Sequence, residues 1–284
     1  MTAVRVIALF TLRESLRRRV FAVVAVLTVA FLALYGLGTW QLYRDVRQVG
    51  SNRLGVEPDV IVGATLLGLS MFATLFLGTV LAVFLTLGAV RGDADRGLLQ
   101  PLLVRPVSRR TLLLGRYAAA AGVCALYVGA VFLAATILTW AIGGWWPDHI
   151  LAPVLGLMLG VAVLAALSLG GSVFLSATAN GIAVFMVFGA GLVAGLLGQI
   201  GEALSSGTLH DVSRVTSWLL PFEGLYQAAL SALTSDTVGF TRLAIDLGPF
   251  GGAQSAGPAL WAWTLVYLGL VGAWALRGFA RRDL

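Results

Sequence analysis

Lysine is absent from this chain, in which all 19 basic residues are arginine. Because a P-loop needs a lysine on the phosphates of its nucleotide, this absence excludes a Walker-type ATPase within the chain. The single cysteine, Cys124, lies inside an apolar run; it cannot form an intrachain disulfide, and we expect it to face lipid or to be packed. The two histidines, His149 and His210, are isolated and lack the spacing of metal ligands, so we interpret both as solvated loop residues.

Charge is also scarce, at 11% of residues, whereas a soluble protein carries about 25%. Long apolar runs take its place, and about 20 apolar residues suffice to cross the hydrocarbon core of a bilayer. The pattern predicts an all-α integral membrane protein, in which residues 1–284 form a single transmembrane domain with six spans. The predicted spans are Val20–Leu42, Val60–Val90, Tyr117–Ile142, Ile150–Thr178, Gly181–Ile200 and Ala259–Leu276.

None of the six spans contains an acidic residue, a basic residue or a histidine. Proton- and ion-coupled transporters usually need buried ionisable groups as relays or ligands, although backbone carbonyls can bind sodium without them. An intramembrane hydrolase needs an acid pair, a metal cluster or a base beside its nucleophile. The spans therefore disfavour a secondary transporter and an enzyme, and we expect the energy source to lie on another polypeptide.

The arginines are distributed unevenly between the two sides of the predicted membrane. With the N-terminus inside, the inner segments carry 14 arginines and four acids, whereas the outer loops carry five arginines and nine acids. Because cytoplasmic loops are enriched in basic residues, we expect both termini to be cytoplasmic. The arginines are spread over three inner segments that flank apolar spans, so they do not indicate nucleic-acid binding.

Residues 2–19 have the pattern of an amphipathic helix that rests in the inner headgroup layer. Leu9, Leu12, Leu16 and Val20 share one helical face, and charged residues occupy the others. The alternative, which the pattern leaves open, is an ordinary basic flank of the first span.

The longest non-spanning segment, residues 201–258, contains one short helical pattern between Pro221 and Ser235. We expect an amphipathic helix that lies on or dips into the outer leaflet, followed by a loop from Gly239 to Pro258. The apolar face of this helix comprises Phe222, Leu225, Tyr226, Ala229, Leu230 and Leu233, and its weakly polar face comprises Glu223, Gln227 and Ser231.

Two signals concern the packing of the spans. Asn180-Gly181 is a tight-turn signal that separates the fourth span from the fifth, the alternative being one long stretch. Pairs of small residues four positions apart allow helices to approach closely, and each pair is a candidate subunit interface. The pairs are Gly156/Gly160, Ala190/Ala194 and Gly191/Gly195.

The segment Gly92–Arg116 is the only long charged stretch between two uncharged spans. It opens with an acidic cluster at Asp93 and Asp95, continues as a short apolar helical stretch, and turns at Pro106. Ser108 has the position of a helix N-cap, and the helix after it runs into the third span. A charged connector held at the membrane surface in this way is accessible to another protein.

This connector resembles the cytoplasmic connector of type-2 ATP-binding-cassette (ABC-2) permeases. The family pattern reads acid-x-acid-x-Gly-Thr-Leu, further leucines, then Pro, a small residue and Arg, and it ends in Leu-Leu-Gly-Lys. This chain departs from the pattern at Leu98 in place of threonine, at Pro101 within the leucine run, and at Arg116 in place of lysine. The matching residues are Asp93, Asp95, Gly97, Leu99, Leu102, Leu103, Pro106, Arg109, Leu113, Leu114 and Gly115.

The resemblance extends over most of the chain. The N-terminal segment is similar to the family's connecting helix, and the six-span layout, the outer helix before the last span and the basic C-terminus are similar as well. The resemblance assigns Arg13, Glu14, Arg17 and Arg18 to the connecting helix. It assigns ATPase coupling to Asp93, Asp95, Arg96, Gly97, Arg105, Pro106, Arg109 and Arg110.

Taken as a whole, the resemblance implies the permease subunit of an ABC exporter in a bacterial cytoplasmic membrane. The permease would pair as a homodimer or a close heterodimer, and two separate cassette ATPase chains would hold ATP and magnesium. No cofactor is expected in this chain. Its uncharged spans favour a hydrophobic or amphiphilic cargo. A non-transporting scaffold or assembly factor of the same family and, less favoured, a secondary transporter remain as alternatives.

Overall fold

The computed structural model describes residues 19–49, 57–86, 108–203, 207–237 and 257–281. In those ranges every regular element is helical, and six helices are long and apolar enough to cross a bilayer. The six predicted spans and the all-α membrane fold are thereby confirmed. The six helices are α1 (Arg19–Val49), α2 (Pro58–Thr86), α3 (Arg109–Gly143), α4 (Leu151–Phe174), α5 (Ala177–Ala203) and α8 (Pro258–Ala280).

Two shorter helices lie between α5 and α8. They are α6 (Gly207–Leu219), which was not predicted, and α7 (Pro221–Ser231), which was, and a 3₁₀ turn (Ala232–Thr234) follows α7. The predicted helix over 2–19 and nearly all of the predicted loop over 239–258 lie outside the described residues.

Several helices extend beyond the apolar runs from which they are predicted. α1 continues through Arg44, Asp45 and Arg47, and α3 begins at Arg109 rather than at Tyr117. A run of apolar residues marks where a helix meets hydrocarbon, whereas the helix itself ends only where its backbone hydrogen bonds end.

The break between the fourth and fifth spans lies earlier than predicted. α4 ends at Phe174, Leu175 is extended with φ −102° and ψ 155°, and α5 begins at Ala177. Asn180, expected in a turn, lies in the first turn of α5, and its amide donates to the Ser168 carbonyl of α4 at 2.8 Å. The two spans are confirmed, but the predicted turn at Asn180 is wrong because this side chain ties the helices together.

Helix α4 forms the centre of the bundle. It contacts α2, α3, α5, α7 and α8, and its residues Leu157, Val161 and Leu164 are fully buried. Cys124 of α3 is also fully buried, so of its two expected environments the packed one is correct.

Helix α1, by contrast, is peripheral and exposes most of its apolar surface. Two hydroxyl contacts attach it to α3. The Thr28 and Tyr127 hydroxyl oxygens lie 2.6 Å apart, and the Tyr35 hydroxyl bonds the Thr139 hydroxyl in a buried position.

Helix α7 lies inside the bundle and packs against α4, α5, α6 and α8. Phe222 and Leu225 are fully buried. A Cβ placed on Gly160 of α4 would lie 3.6 Å from the Phe222 carbonyl oxygen. Gly160 is nine residues along α4 from Leu151, so α7 begins about 14 Å below that end of the helix, at about 1.5 Å per residue. Of its two expected placements, α7 adopts the one that dips inward.

The glycine pairs in the spans serve the packing of this helix. Gly156 and Gly160 lie against its α4 side, and Gly191 and Gly195 lie against its α5 side. A Cβ on Gly191 would collide with the ring of Phe222. Close approach to α7 within the chain accounts for both pairs, so the hypothesis of a subunit interface at these glycines is wrong.

The far end of α7 is fastened to the loop between α3 and α4. The Asp148 backbone N–H donates to the Leu233 carbonyl at 3.2 Å, and the Asp148 carboxylate accepts from the Asp236 N–H at 3.0 Å. His149 is 55% exposed in this loop, as expected of a solvated residue. The side chain of His210 is outside the described part of the chain.

Candidate functional site

The connector enters the described structure at Ser108, the N-cap of α3. Its backbone is extended, with φ −67° and ψ 143°, and its hydroxyl accepts a hydrogen bond from the Thr111 N–H at 3.1 Å. The expected cap is thus confirmed, and it starts a helix of 35 residues that continues without interruption to Gly143. Any displacement of the connector's last residues therefore acts on the end of a membrane-length rod.

The other connector residues assigned to coupling lie outside the described residues: Asp93, Asp95, Arg96, Gly97, Arg105 and Pro106. The connecting-helix residues Arg13, Glu14, Arg17 and Arg18 lie outside them as well. The backbone of Arg109 forms the first residue of α3, and the side chain of Arg110 is exposed beside it. The assignment of these residues to a partner stays a prediction.

Behind the connector, an apolar cluster joins the ends of three helices. Leu113 of α3 packs with Leu169 and Val173 of α4 and with Ala275 and Phe279 of α8, all buried. The stacked rings of Phe174 and Trp274, with centroids 4.4 Å apart, add a second contact between α4 and α8. Since interiors pack like solids, a movement of the first turns of α3 is passed to α4 and α8.

A buried polar cluster lies where α2 ends and the connector begins. The hydroxyl oxygens of Thr86 and Ser168 are 2.6 Å apart, and the Asn180 amide donates to the Ser168 carbonyl. These three side chains belong to α2, α4 and α5, and all are at most 1% exposed. The end of α2 and the first turns of α3 are therefore held by different means, hydrogen bonds at Thr86 and apolar packing at Leu113.

A second polar group lies deep in the bundle, on α7. Glu223 is 1% exposed, and its Oε1 accepts a hydrogen bond from Gln227 Nε2 at 2.7 Å. Within the described residues, no donor reaches Glu223 Oε2 or Gln227 Oε1. A Cβ on Gly195 of α5 would overlap the Glu223 carboxyl, so the helix backbone lies directly against this side chain.

This environment decides the charge of Glu223. Burial raises the pKa of its carboxyl to about 7, and the hydrogen bond from Gln227 opposes the rise in part. Desolvation favours the neutral form of this carboxyl, because transfer of its ionised form out of water is unfavourable. In the described ranges, no three His, Cys, Asp or Glu side chains converge as metal ligands.

The placement of Glu223 corrects two expectations. The residue was counted among the acids of the outer loops and placed on a weakly polar face, whereas both Glu223 and Gln227 are buried. The six predicted spans contain no acidic residue, basic residue or histidine, but the bundle of which they are part encloses the carboxyl of Glu223. The signal that pointed to this burial was the pair of glycine motifs on the neighbouring spans, which require a closely packed partner.

The six-span bundle, the capped helix after the connector and the inserted helix before the last span agree with one known family. The family model described as ABC-2 family transporter protein matches residues 5–284. The chain belongs to the ABC-2 transporter family. None of the curated proteins matches the chain significantly.

Membership gives the ABC-2 permease its general role. It is a multi-pass, membrane-spanning component of a transporter, and its family implies association with an ATPase subunit. The match runs through the connector and both ends of the bundle, so it confirms the resemblance first recognised in the residues from Asp93 to Gly115.

Proposed function

We propose that this ABC-2 permease is the membrane subunit of an ATP-driven exporter for a hydrophobic or amphiphilic substrate, energised through its connector by a separate ATPase. The observation that carries the proposal is the continuity of α3 from its cap at Ser108 to Gly143. Because α3 begins at the connector and crosses the bundle, a displacement of its first turn would move the whole length of the helix within the membrane.

The partner surface is argued from charge. Arg110 is exposed at the start of α3, and Arg105 and Arg109 lie close to it in sequence, so that guanidinium groups are available for bidentate contacts with acidic side chains. Asp93 and Asp95 offer the opposite sign. We infer two ATPase chains that carry ATP and magnesium, and two permease chains paired as a homodimer or a close heterodimer.

Orientation and cargo follow from the distribution of charge and apolar surface. Fourteen arginines on the connector side favour the cytoplasmic face of a bacterial inner membrane for that side and for both termini. The spans offer apolar and small side chains, together with hydroxyls that are mostly bonded within their own helices. Such walls suit an amphiphile better than a bare ion.

The test removes one charge of each sign from the connector. A cassette ATPase that co-purifies with this chain is co-expressed with it, and its affinity for the wild type is compared with that for Asp95→Ala/Arg109→Ala. Loss of a charge-assisted contact costs roughly 1.5–3 kcal/mol, which corresponds to a decrease in affinity of about tenfold or more. Insertion should be unchanged because both residues lie outside the apolar runs that cross the hydrocarbon.

The matched control is Asp211→Ala/Arg214→Ala, which removes the same two charges from exposed positions on α6, away from the connector. It should bind the ATPase and transport as the wild type does. If the connector variant also binds and transports like the wild type, the connector is not the coupling element. Normal binding together with an absence of any ATP-dependent transport would favour the non-transporting scaffold.

A further inference from the structure

An apolar groove of about 280 Å³ runs between α3, α4 and α8. Leu114 and Tyr117 of α3 form one wall, and Gly269, Gly272 and Leu276 of α8 form the other. Among the described residues of its lining, Tyr117 alone carries a side-chain hydroxyl, and this hydroxyl donates to the Ala162 carbonyl at 3.3 Å. The groove therefore offers hydrocarbon contacts and no free hydrogen-bonding side chain to an occupant.

The space in the groove exists because two of the residues that line it, Gly269 and Gly272, have no side chain. A Cβ added to Gly269 or to Gly272 would find no atom within 4 Å. The neighbouring helices have not closed over these glycines, in contrast to the glycines around α7. A van der Waals gap along packed helices loses dispersion energy, so an apolar occupant would be stabilised there.

One end of the groove is basic. Arg110 lies on the same helical face of α3 as Leu114 and Tyr117, at spacings of four and seven residues. Arg277 continues the stripe of α8 that contains Gly269, at a spacing of eight residues. Both arginines are exposed.

The two arginines lie at the same end of the groove. Leu113, three residues after Arg110, packs in one cluster with Ala275, two residues before Arg277. Two cations thus flank the mouth of an otherwise uncharged groove.

The length of the groove fits one leaflet. On α8 it extends from Leu268 to Leu276, which is about 12 Å at about 1.5 Å per residue. Half of a hydrocarbon core of about 30 Å is about 15 Å. The groove is therefore long enough to hold the part of an acyl chain that runs from the headgroup level almost to the middle of a bilayer.

We propose that this groove is a binding site for an anionic phospholipid of the surrounding membrane, with one acyl chain between α3 and α8 and the phosphate between Arg110 and Arg277. The apolar walls select hydrocarbon, and the two arginines select negative charge. A second copy of the same face is a poorer occupant, because a twofold contact there would bring the arginine-flanked mouths together. The site is independent of the transported cargo and of the ATPase.

The experiment counts lipids on the full-length chain by native mass spectrometry, with phosphatidylglycerol and phosphatidylethanolamine as probes. The wild type should retain one phosphatidylglycerol per chain in preference to phosphatidylethanolamine. Gly272→Leu fills the groove and should lower retention of both lipids about tenfold. Its control, Gly122→Leu, adds the same side chain at an exposed glycine of α3 with equally open space and should retain lipid normally.

A second variant tests the headgroup independently of the groove. Arg110→Gln/Arg277→Gln should still retain lipid but lose its preference for phosphatidylglycerol by about tenfold or more, since basic residues at the headgroup level attract anionic lipid. Equal retention by the two glycine variants overturns the site, and so does a preference that survives the loss of both arginines. A change of oligomeric state in Gly272→Leu without a change in retained lipid would assign the groove to a second copy of the chain.

Discussion

Glu223 is the residue whose chemistry the structure changes most. The sequence predicts Glu223 on the weakly polar face of an outer helix, yet it lies against the backbone of Gly195 and accepts a hydrogen bond from Gln227. A neutral carboxyl can donate as well as accept. In this state Glu223 lets α7 pack inside a bundle that could not accommodate its charged form at low cost.

This arrangement makes stability depend on pH through Glu223. Its folded pKa is about 7 against an ordinary value of 4.5, so the folded state binds its proton more tightly than the unfolded state. The contribution is fully present below pH 4.5 and is lost as the pH rises to about 7. Because one pKa unit corresponds to about 1.4 kcal/mol, the whole change is roughly 3 kcal/mol.

The measurement is thermal unfolding of the detergent-solubilised protein at pH 5.5 and pH 8. The wild type should unfold at a lower temperature at pH 8, and Glu223→Gln should lose most of this difference, because its amide cannot ionise. Asp211→Asn, at an exposed acid, should behave as the wild type does. An unchanged pH dependence in Glu223→Gln would show that another group is responsible.

At the scale of elements, the helices that cross the membrane could be read from the sequence, and the helices that do not cross it could be read only in part. Apolar runs of 18 or more residues have few competing explanations, and the cap at Ser108 follows from its hydroxyl and its place before the third span. The helical repeat of its apolar residues predicts α7, but the 11 residues themselves do not indicate how deeply the helix lies in the bundle. The glycines of α4 and α5, against which it packs, are the sequence feature that indicates its burial.

Helix α6 was missed for a different reason. Val212, Val215 and Leu219 repeat at spacings of three and four residues, which is a helical signal, but polar residues surround them and no proline marks the start of the segment. The connector presents the opposite case. Its sequence was the most informative part of the chain, and the residues that match the family up to Pro106 lie outside the described structure.

The stability of the protein should depend on the size of the residues of α5 that contact α7. Gly191→Leu places a side chain where the ring of Phe222 already lies, and overpacking of this kind costs about 1–3 kcal/mol or more. Thermal unfolding should therefore begin at a clearly lower temperature than in the wild type. Gly122→Leu, in open space, is the control. Equal midpoints for the two variants would mean that α7 is not held by close contact with α5.

At the scale of the whole molecule, orientation is open to direct measurement. In a Cys124→Ala background, single cysteines at positions 2, 108 and 283 should react with an impermeant reagent only after the membrane is permeabilised. Cysteines at positions 52 and 236 should react in intact cells. The physical reason is the excess of arginine on one side, and labelling of position 108 from outside would reverse the orientation.

The family implies an ATPase subunit as partner, and the proposed division of labour between the two subunits can be measured as well. The purified chain should hydrolyse no ATP, since it has no lysine for a P-loop. A complex with its cassette ATPase partner should hydrolyse ATP. Sustained hydrolysis by the isolated chain, after contaminants have been removed by two unrelated purification steps, would contradict the division of labour between the two subunits.

The insertion of α7 between α4 and α5 also sets the order in which the helices can assemble during synthesis. At 11 residues α7 is too short to enter the lipid as a span of its own. The surface against which it packs forms only after α4 and α5 have both been synthesised. Leu260 of α8 then closes against Gly224, where an added Cβ would lie 2.9 Å from the leucine. We therefore expect a nascent chain arrested before α8 to hold an uncovered α7, a state that quality-control proteases can distinguish from the finished protein.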